Sequence, residues 1–146
     1  MRSLLFTSIL VATLAGCGSS GAEPEGGAVT FPREALAKVT TDSGAWHIEV
    51  RVSPQQPPVR GVNTVELTIT DGAGKPVPSL VVGITPWMSA HGHGASTRPE
   101  IKDIGAGNYV ATDVNLYMPG RWDLRITLAT PAGETTDRAT ATLDVP

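Results

Sequence analysis

The sequence has few residues of the types that supply reactive side chains. It contains one cysteine, Cys17, and three histidines in 146 residues. Because Cys17 ends an N-terminal apolar run, the chain beyond it has no thiol for a disulfide bond or for cysteine catalysis. The fold must therefore be held together by its hydrophobic core.

Clusters of positive charge and the motifs of common enzymes are also missing. Charged residues make up 17% of the chain and the formal net charge is −3, so we expect no nucleic-acid partner, which would need a basic surface. The sequence has no G-x-S-x-G, no H-E-x-x-H and no clustered acid pair with a histidine nearby. We therefore expect a protein that is not an enzyme.

A long apolar run occurs only at the N-terminus. Arg2 precedes LLFTSILVATLAG (4–16), which is shorter than the roughly 20 residues of a permanent membrane helix. The positive start, the short apolar stretch and the small residues before the cysteine predict a signal peptide over residues 1–16.

The residues LAGC (14–17) resemble a bacterial lipobox. This resemblance implies cleavage before Cys17 and attachment of lipid to its thiol, so that the protein is extracytoplasmic and anchored to the membrane. The alternative is an ordinary secretory signal with a chance cysteine. Gly18 stands where an aspartate would favour the inner membrane, so we expect the outer membrane, facing the periplasm, in a Gram-negative cell.

The residues after Cys17 predict a tether and one domain. GSSGAEPEGGA (18–28) has almost nothing to bury, which is typical of a flexible linker. We assign residues 17–40 to the lipidated cysteine and tether, and residues 41–146 to a single folded domain.

Beyond the tether, apolar and polar residues alternate with the period of a β-strand. In WHIEVRV (46–52), for example, every second residue from Trp46 to Val52 is apolar. The same reasoning predicts further strands over residues 65–70, 80–85, 108–118, 122–128 and 139–145. Turn-forming stretches separate these strands, as in TDGAGKPVP and TPAGETTD. We therefore predict an all-β fold, an immunoglobulin-like antiparallel β-sandwich of about seven strands.

The segment PWMSAHGHGAST (86–97) gathers residues that can bind a metal ion. In extended backbone, His91 and His93 lie on the same side about 7 Å apart. Met88 precedes them, and Met118 follows later in YMPGRW. Imidazole and thioether donors without thiolate or carboxylate suit Cu(I) or Ag(I). We predict that these four side chains bind copper, most simply as Cu(I).

Trp87 could cover such an ion with the face of its indole ring. A structural explanation stands beside this prediction. Met88 and Met118 could fill gaps in the core, Trp87 could be structural, and the glycines could serve only to shape the turn. The loop could also contact another protein of the cell envelope through an exposed Trp87 and Met88.

Several segments together resemble the YtkA-like domain family, which is related to the FixH family. They are GVNTVELTITDGAGKPV, PWMSAHGHG and GAGNYVATDVNLYMPGRWDLRITL, which carry G-x-N, D-x-x-G-K-P, M-x-x-H-G, G-x-Y and M-P-G-x-W in the family's order. The resemblance covers residues 58–130. It implies an immunoglobulin-like sandwich in a small exported or membrane-anchored protein, linked to copper handling and respiratory-oxidase assembly.

The resemblance also points to particular residues. Carried over position by position, the family's motif falls on Met88, His91, Gly92, Met118, Pro119, Gly120 and Trp122. This chain departs from the pattern at Trp87 and at Ser89–Ala90, where relatives often have a second methionine motif, and His93 can replace the missing donor.

Two functions follow from these observations. The first is a lipid-anchored extracytoplasmic module that binds copper. The second is a structural or protein-interaction β-sandwich on the cell envelope that binds no metal.

Overall fold

A computed structural model describes residues 29–133 and 136–146, so Cys17 and the predicted signal peptide lie outside the described residues. The described chain consists of β-strands and connecting turns, and none of it forms a helix that could cross a membrane. The strands are β1 (Ala37–Thr40), β2 (Trp46–Ser53), β3 (Gly61–Asp71), β4 (Val81–Met88), β5 (His93–Gly94), β6 (Glu100–Gly105), β7 (Asn108–Leu116), β8 (Gly120–Ala129) and β9 (Thr136–Val145).

The strands form two antiparallel sheets that pack face to face. One sheet has the order β1–β2–β3–β7–β6 and the other has the order β5–β4–β8–β9. Within them, β2–β3–β7–β6 and β4–β8–β9 reproduce the strand order of an immunoglobulin constant-type domain. The predicted all-β, immunoglobulin-like sandwich is confirmed. It has nine strands rather than about seven, because the short strands β1 and β5 extend the two sheets.

Alternation along the strands builds the core. In β2 the residues at even positions from Trp46 to Val52 are buried, while His47 between them is exposed. In β8 every second residue from Trp122 to Leu128 is at most 1% exposed. The two inner faces meet and exclude water from these side chains, which is the main favourable contribution to the stability of such a sandwich.

The fold begins before the predicted domain boundary at residue 41. Ala37–Thr40 pair with Thr40 opposite His47 and Ala37 opposite Val50. Ala37 and Val39 are half-buried and pack against the core, whereas Lys38 and Thr40 between and after them are exposed. Residues 37–40 therefore belong to the domain and not to the predicted tether.

Buried polar side chains hold the connections between strands. Asn63 accepts a hydrogen bond from the Val59 N–H and donates to the Val59 and Gly61 carbonyls. The Tyr109 hydroxyl donates to the Val77 carbonyl and accepts from the Leu80 N–H, both at 2.9 Å. These bonds fix the start of β3 and the crossing from β3 to β4, which brings the end of β4 to its place at the candidate site.

Candidate metal site

The segment between β4 and β5 is a tight hairpin. The backbone N–H groups of His91 and Gly92 both donate to the Met88 carbonyl at 3.0 Å. Gly92 has a φ of 68°, in the left-handed region where a side chain is strained. The chain then returns so that His93 pairs with Met88 across the strands. The turn places His91 at its tip and His93 on the returning strand.

The hairpin brings the two predicted histidines together. Their ring centroids are 5.7 Å apart, with an angle of 46° between the planes. His91 is exposed and His93 is half-buried. The structure therefore places His91 and His93 next to each other, as the sequence predicted.

Tyr117 is a member of this site that the sequence analysis missed. Its hydroxyl lies 2.9 Å from Nδ1 of His93, and the two rings stack with centroids 5.9 Å apart. The Tyr117 ring also meets the edge of Trp122, which is fully buried. The sequence could have pointed to Tyr117, because it directly precedes Met118 in YMPGRW, a segment that was already a candidate for metal binding.

The hydrogen bond to Tyr117 distinguishes the two nitrogens of His93. When Nδ1 carries the proton and donates it to the tyrosine oxygen, Nε2 has a free lone pair. A ligating histidine commonly uses its second nitrogen in this way, which fixes both its tautomer and its ring orientation. In that tautomer, Nε2 of His93 is the atom available to an ion.

Met88 and Met118 lie at the same end of the sandwich but differ in exposure. Met88 is 2% exposed and belongs to the core. Its terminal methyl lies against Gly120, where an added Cβ would come within 3.0 Å of it. Met118 is half-buried, and its carbonyl accepts a hydrogen bond from the indole Nε1 of Trp122 at 2.9 Å. Met88 thus meets the segment that carries Met118, which the sequence alone did not show.

The burial of Met88 corrects one of the alternatives. A contact surface made by exposed Trp87 and Met88 is wrong for Met88, because neighbouring side chains on a strand face opposite sides of the sheet and this one faces inward. Its position as a packed core residue agrees with the structural explanation of this methionine.

Trp87 faces away from the predicted ligands. It alternates with Met88, so its ring lies on the outer face of β4, with the guanidinium of Arg125 4.3 Å from the ring centroid. Gly94 lies beneath the same ring, where an added Cβ would come within 3.2 Å. This contact is a cation–π pair with a neighbouring strand. The structure therefore does not bring Trp87 over the histidine pair, and the predicted shielding role is corrected.

Carboxylates do not gather around the histidines. Within the described residues, no group of three or more His, Cys, Asp and Glu side chains is placed to hold a metal ion. One carboxylate, Asp123, contacts the hairpin, and it accepts hydrogen bonds from the hydroxyls of Ser89 and Thr142. The donors at this end are therefore imidazole and thioether, a set that favours soft ions over hard ones such as Mg²⁺ or Ca²⁺.

Comparison with known proteins connects this architecture to a family. The model of the YtkA-like family matches residues 42–127, from the turn after β1 to within two residues of the end of β8, and includes every residue of the candidate site. Searches of curated proteins and of solved structures gave no significant match.

Proposed function

Because this chain belongs to the YtkA-like family, we propose that it is a lipid-anchored extracytoplasmic module that binds copper as Cu(I). The ion is held at the end of the sandwich formed by the β4–β5 hairpin and the segment before β8. The role is binding and delivery or storage of the ion, with no catalysed reaction.

One observation carries the proposal: the pairing of His91 and His93 with their ring centroids 5.7 Å apart. A histidine pair at the tip of a two-strand hairpin is held by the backbone bonds to Met88 and by the Tyr117 contact. Positions fixed in this way reduce the entropy that is lost when both rings bind one ion.

The chemistry of the donors fits the ion. When bound, Cu(I) accepts lone pairs from imidazole nitrogen and thioether sulfur. His91 is exposed, while His93 and Met118 are half-buried, so all three side chains reach the surface of the protein. Met88 is buried in the core and lies opposite His93 in the β4–β5 pairing, so it would contribute from the inner side.

The test is a titration of the purified protein with Cu(I) without oxygen, in competition with a chelator. We expect one ion per chain, and we expect the double variant His91→Ala/His93→Ala to lose affinity by more than the roughly 10–100-fold that an outer-shell partner is worth. His47→Ala is the matched control, because this third histidine is exposed on β2 and bonded to Thr40. Equal affinity of the wild type and the double variant would contradict the proposal.

The thioethers are tested by volume-conserving variants. Met88→Leu and Met118→Leu keep the apolar packing but remove the sulfur donor. If Met118 binds and Met88 only packs, Met118→Leu weakens Cu(I) binding and Met88→Leu leaves it unchanged. A loss in both variants assigns both sulfurs to the ion.

A further inference from the structure

One edge of β4 is open along most of its length. On one side, β8 pairs with residues from Val81 to Trp87. On the other side, the two-residue strand β5 reaches only Trp87 and Met88, and the Ala95 N–H donates to the Pro86 carbonyl. This leaves the first half of β4 without a neighbouring strand on that side among the strands that the structure describes.

The direction of the backbone groups follows from the Pro86 contact. In an antiparallel strand, the N–H and C=O of one residue point to the same edge, and alternate residues point to opposite edges. Because the Pro86 carbonyl faces β5, the N–H and C=O groups of Val82 and Ile84 face the open edge. They present the hydrogen-bonding pattern that an additional strand would need.

A groove runs along this edge. It has a volume of about 530 Å³ and lies between β4 and the segment from Ala95 to Ile101. This falls within the range of roughly 300–1,000 Å³ that is typical of ligand clefts. Val82, Ile84 and Ile101 contribute apolar surface to it where the two sheets of the sandwich separate.

The open part of β4 has no charged side chain, and the one proline at this edge, Pro86, lies beyond it, where the Ala95 N–H donates to its carbonyl. Charged side chains on an edge normally discourage pairing with another chain. The opposite sheet's edge strand β6 carries Glu100, Lys102 and Asp103, whereas β4 has no charged residue between Val81 and Met88. The uncharged sequence of β4 suits an edge that accepts a partner.

The groove is lined by one charged side chain, Arg98, that forms no ion pair within the described residues. Among its lining residues only Arg98 is ionisable, and it is exposed. None of the ion pairs found within the described residues involves Arg98. A guanidinium in this position favours a carboxylate, which it can bind through two hydrogen bonds.

We propose that the open edge of β4 binds an extended segment of another polypeptide, which adds a strand to the β5–β4–β8–β9 sheet and places a carboxylate on Arg98. Main-chain bonds to Val82 and Ile84 hold the segment, and its inward-facing apolar side chains cover Val82 and Ile101. This is binding by strand addition. It uses a different surface from the histidine pair, so it does not depend on the proposed copper site.

The experiment selects binding peptides from a randomised seven-residue library against the purified protein. One arm displays the peptides with a free carboxyl terminus and the other displays them as internal segments, which separates a terminal carboxylate from an acidic side chain. We expect enriched peptides to be rich in β-branched residues. We also expect either that the internal segments require an Asp or Glu side chain, or that enrichment occurs only in the arm with the free carboxyl terminus. Enrichment of basic peptides, or no enrichment over an empty support, would overturn the proposal.

Variants locate the contact on the protein. Arg98→Glu is expected to weaken the selected peptides by about tenfold or more, the worth of one charge-assisted hydrogen bond. Val82→Pro removes an N–H that faces the open edge, and it should abolish binding without touching the β8 ladder. Val62→Lys, an exposed valine on the other sheet, is the control.

If Val82→Pro fails to fold, hydrogen exchange measured by nuclear magnetic resonance on the wild-type protein tests the same contact. In the wild-type protein, the selected peptide should slow hydrogen exchange at the Val82 and Ile84 amides and leave Val62 unchanged. Slowed exchange at other residues with none at Val82 and Ile84 would show that the peptide binds elsewhere, and the proposal would be wrong.

Discussion

Three residues that the YtkA-like pattern shares with this chain form hydrogen bonds that hold loops to the core. Asn63 of G-x-N closes the turn before β3, Tyr109 of G-x-Y ties the β3–β4 crossing to β7, and Trp122 of M-P-G-x-W holds the Met118 carbonyl. These side chains are at most 1% exposed. At the residue scale, this leaves the two histidines of the hairpin, with Tyr117 and Met118 beside them, as the accessible groups suited to binding.

Tyr117→Phe tests whether this tyrosine positions His93. The variant keeps the ring stack on His93 and removes only the hydroxyl at 2.9 Å from Nδ1. We expect Cu(I) affinity to fall by roughly 10–100-fold, as for other outer-shell partners. Nitrogen NMR should also show that the tautomer of His93 becomes mixed in the metal-free protein. An unchanged tautomer together with unchanged affinity would remove Tyr117 from the site.

Asp137 links the start of β9 to the turn after β1. Burial raises the pKa of its carboxyl, but hydrogen bonds from the Ser43 and Thr41 hydroxyls and from backbone N–H groups outweigh burial and lower the pKa to about 2. Since the folded pKa lies below the ordinary value of 3.8, this carboxylate stabilises the fold above pH 4, and the contribution is lost as the pH falls towards 2.

We therefore expect Asp137→Asn to lower the free energy of unfolding at pH 7 by about 1–2 kcal/mol. The difference from the wild type should narrow as the pH falls below 4. Urea unfolding at several pH values measures it. Asp144→Asn is the control, because Asp144 pairs with Arg121 where both side chains are more than 70% exposed; a pH-independent loss in Asp137→Asn would contradict the linkage.

At the scale of elements, the β3–β4 crossing depends on one hydroxyl. Tyr109 is 1% exposed, and burial raises its pKa, so it stays protonated and can donate to Val77 while accepting from Leu80. The hydroxyl thereby fixes where β4 begins and hence where its open edge and its hairpin lie.

Tyr109→Phe leaves the Leu80 N–H and the Val77 carbonyl without this partner. We expect the free energy of unfolding to fall by about 1–3 kcal/mol, the cost of unsatisfied buried groups, measured by urea unfolding. Tyr117→Phe provides the matched comparison, since its hydroxyl is on an exposed residue. Equal stability of the two variants would show that the crossing is held by other contacts.

At the scale of the whole molecule, the proposal depends on an anchor that lies outside the described residues. Cys17→Ser removes the thiol to which lipid would be attached. We expect the wild type to fractionate with the membrane and to carry a lipid mass on its N-terminal residue, and the variant to appear in the soluble extracytoplasmic fraction. Membrane association of the variant would show that Cys17 is not the anchor. The Cu(I) titration of soluble protein is independent of this result.

The sequence by itself determined six of the nine strands and the sandwich, because a period of two residues is local and each buried face must find another to cover it. It did not predict β1, β5 or β6. If the same alternation is continued from Leu80 to Met88, it puts Met88 inside and Trp87 outside. The sequence analysis ended this strand at residue 85 and so did not use it. The sequence also marked the histidine pair, since two residues of extended backbone bring their side chains to one side.

Only the tertiary structure decided which distant segments meet. Tyr117 lies 24 residues from His93, and its contact depends on the segment before β8 crossing beside β5. The open edge of β4 depends on the order of strands and on the shortness of β5. Long-range pairing and loop packing follow from the balance of the whole core, so no local pattern in the chain could specify them.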